Sequence, residues 1–407
     1  MKNLYYLLCL LGMFSCSQET KPPLNVIYIS VEDMPPYLGC YGHPVVQSPN
    51  MDAFAQEALL FEDVHCQVPL CTPSRTSILT GIRPSTSGIV KIDDDWRQIL
   101  PDAVSLPRHF RNNGYYTHAV GKISDPRNGG MDDAWDISKE EWGISDNTLP
   151  LKAIQEVANQ NQPFFLAIGY KQAHDPWEPA QQHLAKYDSV NIDISERGRI
   201  YKNTTYTEAE IKTFIKKFYA SVTEVDSLIG EVINSVKKNG LFKNSLIILG
   251  ALDHGYSLGY HNKWGKGNNY DPETMVPLLI RLPGNPNNGR RSAELVELVD
   301  LYPTLVDYCQ LPLPPQRLEG TSLRSLLENP DRPLKKAAFT HRAYHAQELG
   351  VKTKDYCLIT RTQAPPLLFD RQKDPNNLYN IAEEKPEILA DLLEILKGGW
   401  ENAVHSY

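Results

Sequence analysis

The sequence predicts an α/β fold in which a mostly parallel sheet is covered by helices on both faces, followed by a smaller C-terminal α+β subdomain. Three observations carry this reading. Short apolar runs rich in β-branched and aromatic residues alternate with longer stretches whose apolar residues recur at helical spacing, the pattern of parallel strands joined by crossover helices. Polar motifs stand directly after those apolar runs, at the edge where open α/β sheets hold ligands. After about Leu323 the texture changes to prolines, charges and short strand-like runs.

The first strand is 25–30 (NVIYIS), which empties into Glu32-Asp33. Ser48-Pro49-Asn50 opens a helix running to about residue 59. Cys71-Thr72-Pro73-Ser74-Arg75 opens another, because the missing N–H of Pro73 costs nothing in a first turn. A helix is expected over 107–112, and a strand over 116–120 that ends at Gly121-Lys122. Strand 164–169 leads into a segment ending in His174. Residues 207–238 place Ile211, Phe218, Val222, Val225, Ile229 and Val232 at helical spacing, and Gly240 stops that helix. Strand 245–252 delivers Asp253-His254-Gly255, and strand 276–282 follows. Past Pro330 and Pro333, which read as a linker, strands are expected at 337–340, 355–360 and 367–370, with a last helix at 386–397. The expected division is a leader at 1–16, a main domain at 24–325 and a small subdomain at 326–407.

Residues 1–16 read as an export signal: Lys2, an apolar core over 4–14, then Ser15-Cys16. The apolar core is too short to span a bilayer. Cys16 is the candidate lipid-anchored residue of a bacterial lipoprotein, with a plain signal peptide as the alternative; both imply an exported protein at the periplasm or cell surface. Beyond it stand Cys40, Cys66, Cys71, Cys309 and Cys357, an odd number that leaves one thiol unpaired or modified, with Cys71 the candidate. The 407 residues, 41% hydrophobic and 22% charged, have the composition of a soluble globular protein. A net charge of −8 offers no global field for a polyanion, so nucleic acid is excluded as a partner and an anionic substrate needs a local basic site.

The polar motifs supply such a site. A helix N-terminus at Cys71 favours anions, and Arg75 adds a guanidinium fork for an oxyanion beside a reactive residue. Carboxylates at Glu32, Asp33 and Asp253 point to a hard divalent cation, Ca²⁺ or Mg²⁺. Lys122 brings further positive charge, and His174 is a candidate proton donor. Weaker signals are Trp96, Arg97, Trp177 and His183 as a sugar-binding wall, and His341, Arg342 and His345 as residues closing the pocket from the small subdomain.

The run Cys71-x-Pro73-Ser74-Arg75, followed by Ile78-Leu79-Thr80-Gly81, resembles the signature of the type I sulfatases, in which the cysteine is oxidised to formylglycine (3-oxoalanine) and its hydrated aldehyde is the nucleophile. Leu38-Gly39-Cys40-Tyr41-Gly42, Ser48-Pro49-Asn50-Met51-Asp52, the Gly121-Lys122 and Asp253-His254-Gly255 turns, and Leu368-Phe369-Asp370 extend the resemblance along most of the chain, toward iduronate-2-sulfatase-like and heparan N-sulfatase-like enzymes. The resemblance implies an alkaline-phosphatase-like fold. It implies Glu32, Asp33, residue 71 as formylglycine, Asp253 and His254 as ligands of calcium, with magnesium the alternative. It implies Arg75 and Lys122 holding formylglycine and sulfate, Lys266 on the sulfate, and His174 near the leaving oxygen. The implied substrate is a sulfated saccharide, such as a 2-O-sulfated uronic acid of glycosaminoglycan or ulvan type, and the implied biogenesis partner is a sulfatase-maturating enzyme.

Three positions depart from the family pattern. Glu32 stands where aspartate is usual, Gly267 where a related enzyme has histidine, and Lys122-Ile123-Ser124-Asp125 lacks the histidine expected two or three residues after the lysine. That last departure leaves three readings: Asp125 takes over as base and substrate contact, the alignment slips, or turnover is impaired. A phosphoester hydrolase of the same superfamily and a sulfated-glycan binding protein are the alternative functions.

Overall fold

The computed structural model describes residues 23–405 apart from 129, 131, 141 and 343–347. The export signal with Cys16, and His345, lie outside the described residues. The main body is built on an eight-stranded sheet of β1 (Asn25–Val31), β2 (Leu59–His65), β3 (Tyr116–Gly121), β4 (Ile137–Lys139), β5 (Phe164–Tyr170), β6 (Ser245–Gly250), β7 (Leu278–Arg281) and β8 (Arg291–Glu297). Their order is β8-β2-β7-β6-β1-β5-β3-β4. β1, β3, β4, β5 and β6 run parallel, while β7 opposes both of its neighbours. The sheet is therefore mostly parallel with one reversed strand. β1 lies between β5 and β6, and six of its seven residues are buried, as a strand covered on both faces requires.

The helix starts follow from capping chemistry. Helix α1 (Pro49–Ala55) takes its free N–H groups to a neighbour: Asn50 and Met51 donate to the Asp226 carboxylate at 3.1 and 2.7 Å. Asp226 sits on the 31-residue helix Glu208–Lys238, whose start is fixed by a capping box between Thr207 and Glu210. That helix ends beside Gly240 in the left-handed region, as its sequence indicates.

The helix expected to run to residue 59 ends at Ala55, and the chain turns directly into β2, which the sequence reading did not place. The Glu62-Asp63 pair interrupts the apolar run of β2, and its carboxylates are answered by distant arginines, Arg291 for Glu62 and Arg371 for Asp63. Leu326, Leu327 and Leu334 pack in the main core, so the main body continues past 325. The small subdomain is a four-stranded antiparallel sheet, Ala338–Arg342, Glu348–Lys352, Tyr356–Arg361 and Ala364–Asp370, backed by the helix Pro386–Gly398 around its own core. Lys335 fastens it to the main body, with its ammonium 2.7 Å from both Glu297 and Asp300.

Candidate active site

The site forms where β1, β3, β5 and β6 end. Asp33 leaves β1 in the left-handed region (φ 52°), a conformation an aspartate tolerates better than most residues. Gly121 and Gly169 face each other at the ends of β3 and β5. A Cβ on Gly121 would lie 2.1 Å from the Gly169 carbonyl oxygen, and one on Gly169 would lie 2.2 Å from that of Lys122. Only glycine permits that approach, which brings Lys122 over the sheet edge. Ala173, again in the left-handed region (φ 75°), sets the turn that presents His174.

Helix α2 (Cys71–Thr80) is buried along its whole length, so its polar residues face protein on every side. Cys71 opens it and Arg75 follows one turn later, which puts both side chains on one face. Arg75 donates to the carbonyls of Lys122 and Ile123 at 2.9 and 3.1 Å, to Glu32 Oε1 at 3.2 Å and to Asp253 Oδ2 at 3.0 Å. One guanidinium thus ties together the ends of three strands. Ser74 Oγ donates to the carbonyl of Asp253 and fixes the same turn.

Asp33, Cys71, Asp253 and His254 offer ligand atoms that all lie within 4.8 Å of one another, and all four residues are buried. Two carboxylates, an imidazole and residue 71 fit a divalent cation, the more so because a protein cation already sits among them. Lys266 Nζ lies 2.6 and 2.8 Å from the Asp33 oxygens and 3.2 Å from Cys71 Sγ. Glu32 is beside this group but outside it: its Oε1 meets Lys122 Nζ at 2.5 Å and Arg75 at 3.2 Å. His174 Nε2 is 3.9 Å from Asp33 Oδ2 and its ring remains one-third exposed, facing the opening.

Electrostatics favours an anion at position 71. Burial alone pushes the Cys71 thiol up, but the Lys266 ammonium and the His174 and His254 rings outweigh it and hold the thiol well below its ordinary range. None of the five described cysteines is disulfide-bonded, so these surroundings, rather than an odd count, single out Cys71.

Asp125 is placed with its carboxyl turned into Arg127 and 3.8 Å from Lys122. Burial raises its proton affinity, yet the bonds from Arg127 and the Lys122 charge win and hold it below the usual carboxylate range. Arg127 and Trp142, beside it, escaped the sequence reading because neither belongs to a motif.

The weaker signals fall elsewhere. Trp177 is 5% exposed and donates to the Ala173 carbonyl, so it packs behind the His174 turn instead of presenting a face to a sugar. Trp96 and His183 are buried too, and Arg97 pairs with Asp133. His341 lines a hollow of about 140 Å³ with Arg83 and Trp400 between body and subdomain, and Arg342 pairs with Glu348.

A mostly parallel sheet that gathers metal-type donors, a buried helix-start cysteine and fixed cations at its strand ends has the architecture of the alkaline-phosphatase-like superfamily. The sulfatase family profile matches residues 24–311, and the profile of the N-sulphoglucosamine sulphohydrolase C-terminal region matches residues 259–398. The chain belongs to the sulfatase family and is a sulfuric ester hydrolase. It is 29% identical to human iduronate 2-sulfatase over 75% of this chain and 72% of that protein. It is 28% identical to a sulfatase of Formosa agariphila over 98% of this chain and 94% of that one. A structure solved with its substrate D-glucosamine-2-N,6-O-disulfate superposes with a TM-score of 0.78 at 22% identity, covering 93% of this chain and 98% of that one.

Proposed function

We propose that this sulfatase removes sulfate from sulfated saccharides of glycosaminoglycan or ulvan type, with residue 71 acting as formylglycine. The carrying observation is the convergence of Arg75, Lys122 and Lys266 on the start of the Cys71 helix, beside the donors Asp33, Asp253 and His254. The similarity to iduronate 2-sulfatase and to a structure solved with a disulfated glucosamine supports a saccharide. A 2-O-sulfated uronic acid is one member of that class.

Asp33, residue 71, Asp253 and His254 would hold a divalent cation, calcium by its oxygen-rich donors, with Glu32 adjoining; it would balance sulfate charge and favour an ionised hydroxyl at residue 71. Lys122 and Lys266 bind the sulfate oxygens and stabilise the charge that develops on them. Arg75 orients the turn bearing Lys122 and the carboxylate of Asp253. His174, at the open side, hands a proton to the departing sugar oxygen. Oxidation and hydration of residue 71 supply both the attacking hydroxyl and a second one, which passes its proton to His174, left neutral by the first step, as sulfate departs and the aldehyde re-forms, so the maturating enzyme is an obligatory partner. Export, with a lipid anchor at Cys16, suits an enzyme that meets polymer fragments outside the cell.

The test is sulfate release over a panel of sulfated oligosaccharides, with mass spectrometry of the Cys71 peptide. Release together with loss of the thiol mass is expected. Full activity in protein carrying an unmodified cysteine would overturn the nucleophile assignment, and sulfate binding without any release would favour the binding-protein reading.

A further inference from the structure

Arg127 stands two residues beyond Asp125, and its guanidinium folds back onto it. Nε donates to Oδ1 at 2.9 Å and Nη2 to Oδ2 at 2.6 Å, a fork that fixes the guanidinium plane. The Asp125 side chain has no exposed surface, whereas Arg127 keeps 37% of its own. The same carboxylate lies 3.8 Å from Lys122 Nζ, so one buried acid sits between two cations. Trp142, 57% exposed, lies over both: its ring centre is 5.4 Å from the Lys122 ammonium and 5.3 Å from the Arg127 guanidinium. A large apolar surface left in water above two cations at the border of the site is a platform suited to a ligand. Asp125 links Arg127 to Lys122, whose ammonium lies 2.5 Å from Glu32 at the border of the donor group.

This cluster occupies the stretch where the family pattern expects a histidine. A carboxylate committed to an arginine through two bonds is a poor proton acceptor, while an arginine cannot accept a proton at all. What the segment supplies is a fixed positive charge with a second guanidinium edge free of Asp125.

We propose that Arg127 is a sulfate-binding catalytic residue that donates hydrogen bonds to the scissile sulfate alongside Lys122, and that Asp125 is the residue positioning it under the Trp142 face. This rests on the sulfatase reading of the same site. Arg127 moves no proton; it lowers the charge repulsion between sulfate and nucleophile. The group it recognises is the tetrahedral sulfate itself, common to every sulfate ester, and the sugar is left to Trp142 and the outer pocket.

The test compares Arg127→Ala, Arg127→Lys, Asp125→Asn and the Asp125→Asn/Arg127→Ala double variant in the matured enzyme. Readouts are turnover of p-nitrophenyl sulfate, product inhibition by inorganic sulfate, and calorimetric binding of inorganic sulfate to the Cys71→Ala protein, which needs no turnover. Loss of charge-assisted bonds in Arg127→Ala is expected to weaken inorganic sulfate by about tenfold to a hundredfold and to lower kcat/KM on p-nitrophenyl sulfate at least as much. Arg127→Lys recovers part of both. Asp125→Asn shows a smaller loss, and the double variant is no worse than Arg127→Ala because the two residues act as one unit. Melting temperature, followed in parallel, separates these effects from misfolding. An Arg127→Ala loss confined to saccharide substrates, or an Asp125→Asn loss exceeding that of Arg127→Ala, overturns the proposal, the latter in favour of Asp125 as a base. If the wild type releases no sulfate from any ester while sulfate binding still depends on Arg127, the reaction assignment fails and the anion site stands. Normal turnover with sulfate binding indifferent to Arg127 sinks the anion site alone.

Discussion

Replacing Arg75 with methionine is the sharpest perturbation of the site's framework. Arg75 is 2% exposed and makes four contacts, two to the buried carboxylates of Glu32 and Asp253 and two to the backbone of Lys122 and Ile123. Methionine keeps most of the volume and removes the charge. Glu32 retains Lys122, so the unmatched group is chiefly Asp253, and breaking one buried pair from one side costs about 3–5 kcal/mol. At about 2 °C per kcal/mol, the low end for large domains, the melting temperature should fall by roughly 6–10 °C. Scanning calorimetry on protein stripped of divalent cation by a chelator measures it, because a cation on Asp253 would itself supply a counter-charge. Arg75→Lys separates charge from geometry: it restores a cation, yet one ammonium cannot span four acceptors, so stability should partly return while kcat/KM stays at least about a hundredfold low, the scale of roughly 3 kcal/mol at the transition state. An Arg75→Met protein melting within 2 °C of wild type would refute the reasoning, since Asp253 would then need no counter-charge.

His174→Gln should lower kcat/KM by about 10²–10⁴ on a saccharide sulfate and far less on p-nitrophenyl sulfate, whose leaving group needs no proton; equal losses on both substrates argue against a general acid. Lys335→Met leaves Asp300 without a cation while Glu297 keeps Arg83, so stability should fall by about 3–5 kcal/mol with KM unchanged. The contribution of Asp63 to stability depends on pH. Burial raises its carboxyl, but Arg371 and His65 win and hold it well below the ordinary range, so its stabilisation is full above the unfolded value of about 3.9 and fades as pH falls below it. Asp63→Asn should therefore lose stability at pH 7 and melt with a shallower acid dependence below about pH 4; a parallel pH curve contradicts that assignment.

Much of this architecture was legible because local and tertiary signals agree. The strands 25–30 and 164–169 are nearly continuous apolar runs that pair side by side inside the sheet, and 116–120, despite Thr117 and His118, is buried against the second of them. The long helix was legible from its apolar spacing and from the glycine that stops it, Gly240; its capping box emerged only in the structure. What escaped notice depends on partners far along the chain. β2 carries Glu62-Asp63, which only makes sense once Arg291 and Arg371 arrive from residues 229 and 308 positions away. Within the site, residues at strand ends were readable from position alone. Glu32 is the exception: its sequence place matches a metal ligand, but its carboxylate is taken by Lys122 and Arg75. Arg127 and Trp142 meet only through the folded loop, and no spacing rule links 127 with 142.

The charge balance of the pocket bears on how a protein of net charge −8 handles a sulfate ester. The carboxylates of Glu32, Asp33, Asp125 and Asp253 are matched by Arg75, Lys122, Arg127 and Lys266, each pair at contact distance. With the imidazoles left aside, such a site has no surplus charge with which to draw a sulfate ester out of water. A divalent cation on Asp33, Asp253 and His254 shifts the balance to positive, by an amount that one sulfate ester and one ionised hydroxyl neutralise. Cation and sulfate should then bind with positive coupling, and the coupling is reciprocal. In the Cys71→Ala protein, where no reaction intervenes, adding Ca²⁺ should tighten inorganic sulfate by about 5–150-fold, the usual range of such couplings, and sulfate should tighten Ca²⁺ by the same factor. Asp253→Asn should weaken both effects together. Sulfate binding that ignores chelation would mean the four protein cations carry the anion unaided, and the matched charges would then have to separate when substrate arrives.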